Sequence, residues 1–197
     1  LIPRPETAEL VDWITADFTG NKQPPIILDV GTGSGCISLG LKRHLTHAEI
    51  HGIDISDEAL KIAISNAKAL DLDVMFYKGN LMDPASVQSE FDVLVSNPPY
   101  VPQSELGAMQ AHVRHSEPHL ALFVPDDTPL INYQYLCEMA SLKLKKTGWM
   151  YLETHEHFAE GVAALMEKRG FRSVAIKKDI FEKDRFVRGQ WLGELRD

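Results

Sequence analysis

Apolar residues along this chain recur in two alternating rhythms. Leu10, Ile14 and Phe18 stand at helical spacing within PETAELVDWITADF, residues 5–18. PIILDV (25–30) is a short, nearly continuous apolar run, as a strand buried on both faces requires. CISLGLKRHL (36–45) then predicts a helix and EIHGID (49–54) a strand. SDEALKIAISNAKAL (56–70) predicts a helix with Ser56 or Asp57 as its N-cap. VMFYK (74–78) and FDVLVS (91–96) read as the next strands. Farther on, LINYQYLCEMASLKL (130–144) reads as helix, GWMYLET (148–154) as strand, EGVAALMEKRG (160–170) as helix and SVAIKKD (173–179) as strand. RFVRGQWL (185–192) follows too closely for a helical crossover, so it is expected to pair antiparallel with its neighbour.

Repeated βα units of this kind predict an α/β fold: a Rossmann-like, doubly wound, mostly parallel seven-stranded sheet with an antiparallel C-terminal strand. Ligands of such sheets bind in the crevice at the carboxyl ends of the strands. The long irregular stretch from Val101 to Pro129 exceeds an ordinary connection, and reads either as a lid or substrate-facing loop or as a passive one.

The 197 residues, 44% of them hydrophobic, suffice for one domain with a sizeable core. No run approaches a membrane span, and no signal segment opens the chain. Cys36 and Cys137 have no metal or redox spacing and are expected as free thiols, with the cytosol as the favoured location. The net charge of −8 disfavours direct binding of nucleic acid. The basic cluster Lys143–Lys146 reads as the solvated end of a helix.

DVGTGSGC (29–36) joins the first strand to the first crossover helix. Gly31, Gly33 and Gly35 permit a tight turn and close backbone approach, flanked by Thr32 and Ser34. Cysteine at 36 breaks the six-residue dinucleotide pattern. Asp29 would repel a pyrophosphate, whereas a cationic ligand such as the methionyl part of S-adenosylmethionine tolerates it. Asp54, ending the second strand and followed by Ile55, stands nineteen residues after Gly35, where an acid can accept both ribose hydroxyls of an adenosine. A surface acid or helix-cap role is the alternative. After the third strand, Asn80 and Leu81 offer an amide for the adenine edge and an apolar face for its ring.

The fourth strand runs into Asn97-Pro98-Pro99-Tyr100. Each proline lacks an N–H and forces the preceding residue out of the helical region, so the segment is a stiff, extended exit. It is either a structural turn or a set of acceptors for another molecule's N–H groups. An amide or exocyclic amino nitrogen is a poor nucleophile because its lone pair is delocalised. Carbonyls of Asn97 and Pro98 accepting its two N–H bonds would aim it at a methyl donor, with Tyr100 packing against the flat group.

With glycine loop, ribose acid and NPPY in order, the chain resembles class I methyltransferases acting on planar nitrogen. Its opening LIPRPET (1–7), with LDVGTGSGCISL, FDVLVSNPPYVP, the Glu117-Pro118 and Ala121-Leu122 pairs and DRFVRG, resembles the release-factor glutamine methyltransferase family over nearly the whole length. That resemblance implies transfer of a methyl group from S-adenosylmethionine, leaving S-adenosylhomocysteine, to the glutamine of the Gly-Gly-Gln motif of a peptide chain release factor. A nucleic-acid amino group or a ribosomal-protein glutamine is the alternative acceptor. The resemblance also implies an acceptor wall from Arg4, Pro5, Glu6 and Thr7, for which a surface turn and helix start is the alternative. Residues 1–197 correspond to the catalytic domain, and the family's helical N-terminal domain is expected to lie outside this chain. Departures are Asn80 where an acid is usual, FVPDDTPLIN in place of a glycine-rich stretch, and ETHEH after the fifth strand.

No metal site is expected: His112, His115 and His119 crowd a probable loop, and His155 and His157 a strand end. Met75, Met82, Met109, Met139, Met150 and Met166 read as core filling.

Overall fold

A computed structural model describes residues 5–102 and 123–193. Helix α1 spans Pro5–Phe18, followed by β1 (Ile26–Val30), α2 (Cys36–His44), β2 (Glu49–Asp54), α3 (Asp57–Leu70) and β3 (Met75–Lys78). A single 3₁₀ turn at Pro84–Ser86 leads to β4 (Phe91–Ser96). Two-residue strands β5 (Val101–Pro102) and β6 (Phe123–Val124) pair in parallel as a separate small sheet. Helix α4 (Ile131–Lys143), β7 (Leu144–Glu153), α5 (Ala159–Lys168), β8 (Phe171–Lys178) and β9 (Asp184–Trp191) complete the described residues.

The main sheet has the order β3-β2-β1-β4-β7-β9-β8. β1, β2, β3, β4 and β7 are parallel, and β9 runs antiparallel to both β7 and β8. The strand order reverses between β1 and β4, which opens the crevice at their carboxyl ends.

Alternation within each strand builds two cores. Leu28, Val30, Leu94, Met150, Leu152 and Val187 face α4 and α5 in one cluster. Ile27, Val93, Val95, Tyr151 and Phe186 face α1 and α2 in the other. Period-two geometry sends successive side chains to opposite sides. Each fully buried side chain of this size contributes roughly 1.5–3 kcal/mol relative to exposure.

Helix α1 buries Thr7, Leu10, Val11 and Ile14 on this second face. It is held there by a cationic sandwich. The Arg188 guanidinium on β9 lies 4.8 Å from the Trp13 ring and 5.0 Å from the Trp149 ring, and also pairs with Asp17. Tyr151 donates a 2.7 Å hydrogen bond to the same Asp17 carboxylate. This clamp fixes the register of α1 against β7, and so places Thr7 at the sheet's carboxyl edge.

Ser56 caps α3, its hydroxyl accepting from the Ala59 amide at 3.2 Å. Two expectations are corrected. Only Lys143 of the Lys143–Lys146 cluster ends a helix: α4 stops there and β7 begins at Leu144, so Lys145 and Lys146 lie on a strand, with Lys145 paired to Asp92 at 2.9 Å. Helical spacing persists through Leu144 in the sequence, but pairing of Leu144 with Phe91 of β4 overrides it. Not all methionines fill the core either. Met139, Met150 and Met166 are buried, whereas Met75 and Met82 are 44% and 63% exposed; Met109 lies outside the described residues. No described helix is long and apolar enough to cross a membrane.

Candidate active site

The glycine loop follows β1 directly. Gly31, Gly33 and Gly35 all have positive φ, at 73°, 58° and 85°, a region that side chains with a β-carbon disfavour. The amides of Gly31 and Thr32 both donate to the Ile53 carbonyl at 2.9 Å, tying the loop to β2. A β-carbon on Gly31 would meet nothing within 4 Å, so the loop borders open space there.

Asp29 lies under this loop, with 0% exposure. Its Oδ2 accepts from the Thr32 hydroxyl at 2.7 Å, and from the Ser38 hydroxyl and amide at 2.6 and 3.2 Å. Oδ1 is buried without a hydrogen-bond partner. Burial pushes the carboxyl up to about 6, against the opposing pull of the Ser38 and Thr32 hydrogen bonds. Asp29 therefore stitches the loop to the start of α2.

Asp54 stands at the tip of β2 with both oxygens engaged on one side. Oδ2 accepts from the Gly33 amide and Oδ1 from the Ser56 amide, each at 2.9 Å. A carboxylate has about four acceptor sites, so each oxygen retains capacity for a hydroxyl. The cap alternative is corrected: Ser56 caps α3, and Asp54 instead braces the loop. Ile55, beside it, is 65% exposed, an apolar surface at the carboxyl edge. Asn80 uses its side-chain oxygen to accept from the Met82 amide at 3.0 Å, which leaves its NH₂ as the group available to a ligand edge. Leu81 is partly buried against the core.

At the tip of β4 the four-residue motif divides into held and unheld parts. The Pro99 carbonyl accepts from Asn132 Nδ2 at 2.9 Å, and the Tyr100 hydroxyl donates to Glu153 Oε1 at 3.1 Å. Among the described residues, neither Asn97 Oδ1 nor the Pro98 carbonyl accepts a hydrogen bond. Asn97 Nδ2 donates to Thr7 Oγ1 at 3.4 Å, the long end of the range. Thr7 in turn donates to Glu153 Oε2 at 2.9 Å. Thr7 thus sits within α1 and binds across to β7, while Pro5 and Glu6 form the exposed to half-buried start of that helix. Arg4 lies outside the described residues.

Glu153 ends β7 with 1% exposure and is a site residue the sequence reading did not single out. Burial raises its pKa; hydrogen bonds from Thr7 and Tyr100 and the charge of Arg185 oppose that, and Glu6 adds to it. Its only signal in sequence was the acid opening ETHEH. His155 and His157 have ring centroids 5.2 Å apart, and His112, His115 and His119 fall outside the described residues. Among the described residues no group of three His, Cys, Asp or Glu could hold a metal ion. A groove of about 820 Å³ between α1, α2 and α3 borders this constellation through Thr7 and Ser34 and is lined by neither Asp54 nor Asn97.

The sheet order, glycine loop and β4 motif define a class I methyltransferase domain. The Methyltransferase small domain family model matches residues 8–122. A release factor glutamine methyltransferase of Flavobacterium psychrophilum is 40% identical over 190 residues, covering 95% of this chain and 67% of that protein. The protein of the same name from Bacteroides thetaiotaomicron is 42% identical over 188 residues, 95% of this chain and 66% of that one. The chain belongs to the release factor glutamine methyltransferase family, and spans about two thirds of the length of these relatives. A methyltransferase structure from Pyrococcus furiosus superimposes with a TM-score of 0.68 at 18% identity, covering 96% of this chain and 87% of that one. A magnesium protoporphyrin IX methyltransferase from Synechocystis with bound S-adenosylmethionine gives 0.58 at 16% identity, covering 94% and 77%. At those identities the likeness establishes the fold.

Proposed function

We propose that this domain transfers a methyl group from S-adenosylmethionine to the side-chain amide nitrogen of a release-factor glutamine, in the Gly-Gly-Gln motif. The observation that carries the proposal is the pair of unclaimed acceptors at the tip of β4. Asn97 Oδ1 and the Pro98 carbonyl accept nothing among the described residues, while Pro99 and Tyr100 beside them are bound down. A primary amide offers two N–H donors, and two fixed acceptors hold it in one plane.

The residues of the donor half fit the cofactor. The loop's open side at Gly31, the spare acceptor capacity of Asp54 and the exposed Ile55 would receive methionyl, ribose and adenine parts in turn. Asp29 acts from beneath, by holding the loop's shape and by its charge. Asn80 and Leu81 close the adenine side. When bound, the cofactor supplies an electrophilic methyl carbon on sulfonium. This chain's contribution is orientation: Asn97 and Pro98 accept the two amide hydrogens and aim the nitrogen lone pair. With that cofactor bound, the same carbonyls would stabilise the positive charge that develops on nitrogen as it takes the methyl group, the bond pair remaining with the departing sulfide. The surplus N–H proton then leaves to solvent.

The acidic net charge of −8 favours a protein acceptor over nucleic acid. Two free thiols, Cys36 and Cys137, suit a reducing compartment such as the cytosol. The test is mass spectrometry of release factor incubated with the full-length protein and S-adenosylmethionine. A gain of about fourteen daltons, one methyl group replacing one hydrogen, on the tripeptide glutamine is expected on this lone-pair chemistry. Methylation of nucleic acid with an unmodified release factor would overturn the proposal.

A further inference from the structure

Asn97 can serve as an acceptor only if its side-chain amide is turned the right way, and nothing in the Asn side chain itself decides this. Oxygen and NH₂ are nearly the same size, and the two orientations differ only in what they meet. Here the NH₂ meets Thr7 Oγ1, and that hydroxyl has a single proton. The proton is directed to Glu153 Oε2 at 2.9 Å, so towards Asn97 the hydroxyl presents a lone pair. An Asn97 turned the other way would set its carbonyl oxygen against that lone pair.

We infer that Glu153 is a positioning residue for the acceptor site, acting through Thr7: by taking the Thr7 proton it fixes the Asn97 amide with NH₂ towards Thr7 and Oδ1 free for the incoming substrate amide. This rests on the functional reading above, and adds the device that orients its central residue. The anchor is well built. Glu153 is nearly fully buried, its second oxygen accepts from the Tyr100 hydroxyl at 3.1 Å, and its own backbone carbonyl accepts from the buried Tyr133 hydroxyl at 3.2 Å. A carboxylate receiving two hydroxyl donors acts as an acceptor at both oxygens. The groups facing it are Thr7 and Glu6 of α1, Tyr100 after β4, Tyr133 of α4 and Arg185 of β9. One carboxylate therefore orders both the Asn97 and the Tyr100 ends of the NPPY motif, which connects α1, β4 and β7 at the point of reaction.

The test compares Thr7→Val, Thr7→Ser, Glu153→Gln and the Thr7→Val/Glu153→Gln double variant in the full-length protein. Valine matches threonine in shape and lacks the hydroxyl. Thr7→Val is expected to lower kcat about tenfold or more, as loss of one oriented hydrogen bond implies, with cofactor Kd near wild type and a lowered Tm, since a buried Glu153 oxygen loses its donor. Thr7→Ser restores the hydroxyl and is expected to recover most of the loss. Glu153→Gln leaves one acceptor oxygen for two hydroxyl donors, Thr7 and Tyr100, and is expected to lower kcat as well. The double variant is expected to lose less than the product of the two single losses, since both changes act on one network. A second readout needs no acceptor. In isotope-labelled protein, the Asn97 side-chain amide signal should shift and lose protection from exchange in Thr7→Val but not in Thr7→Ser. Wild-type kcat together with unmoved Asn97 signals in Thr7→Val would overturn the inference. A wild-type protein inactive on release factor would instead defeat the functional reading, and the amide signals would still decide this one.

Discussion

Thr7 and Glu153 are separated by 146 positions in the chain and share a 2.9 Å buried hydrogen bond. The bond joins the first turn of α1 to the last residue of β7, at the edge of the sheet where Asn97 also stands. Farther along α1, the Arg188 guanidinium lies between Trp13 of the helix and Trp149 of β7.

Replacing Asn97 by alanine removes one of the two unclaimed acceptors and leaves the donor half untouched. Methyl transfer is expected to fall about a hundredfold or more, the scale on which oriented polar groups act in catalysis, with cofactor affinity nearly preserved. Single-turnover kinetics with calorimetry on the same preparation separates the two. Turnover within a few fold of wild type would show that the acceptor role is misassigned.

Asp54→Ala acts on the other half. It deletes the proposed ribose acceptor and also releases the Gly33 amide from its 2.9 Å bond. Hydrogen bonds to a charged group contribute roughly 1.5–3 kcal/mol each, so cofactor binding is expected to weaken by about ten- to a hundredfold or more. Calorimetry reads this directly, and an unchanged Kd would remove the ribose assignment.

Asp29 ties stability to pH. Its folded-state pKa of about 6 stands above the ordinary 3.8. The folded protein thus holds this proton to higher pH than the unfolded chain does. Its contribution is fully present below 3.8 and is lost as pH rises through about 6. The span corresponds to roughly 3 kcal/mol. Urea denaturation should show wild type losing about that much relative to Asp29→Asn between pH 3.5 and 7, by the same linkage. A gap between the two proteins that does not change with pH would contradict the buried, ionisable role.

Gly52, in the middle of β2, has no room for a side chain. A β-carbon there would fall 2.6 Å from the Phe76 ring and 2.9 Å from the Thr32 hydroxyl. Gly52→Ala is expected to destabilise the fold by about 1–3 kcal/mol, the usual range for overpacking. It should also loosen the glycine loop through Thr32. Thermal melting with and without cofactor tests both parts, and a wild-type Tm would refute the first.

Much of the architecture is written locally. The span 5–18 carries the helical repeat of α1 in full, and the apolar runs of β1 and β4 are the short, β-branched kind a doubly buried strand requires. The boundary at Leu144 is not legible locally, because a helical rhythm runs on past Lys143 and only strand pairing with Phe91 ends it. The exposure of Met82, in the turn after β3, and of Met75 is equally invisible locally: methionine is apolar wherever it stands, and sequence does not say that the strand carrying Met75 lies at an edge of the sheet. β3 is that edge strand.

By itself the sequence determined the alternation of strands and helices, the positive-φ glycines after β1, the acid ending β2 and the stiff NPPY exit from β4, because each is a property of neighbouring residues and their backbone preferences. Only the tertiary structure decided that Glu153 and Thr7 meet beside Asn97, and that Asn132 takes the carbonyl of Pro99 while, among the described residues, that of Pro98 accepts nothing. Hydrogen-bond partners across a sheet edge are chosen by packing between distant elements, and no local pattern records that choice.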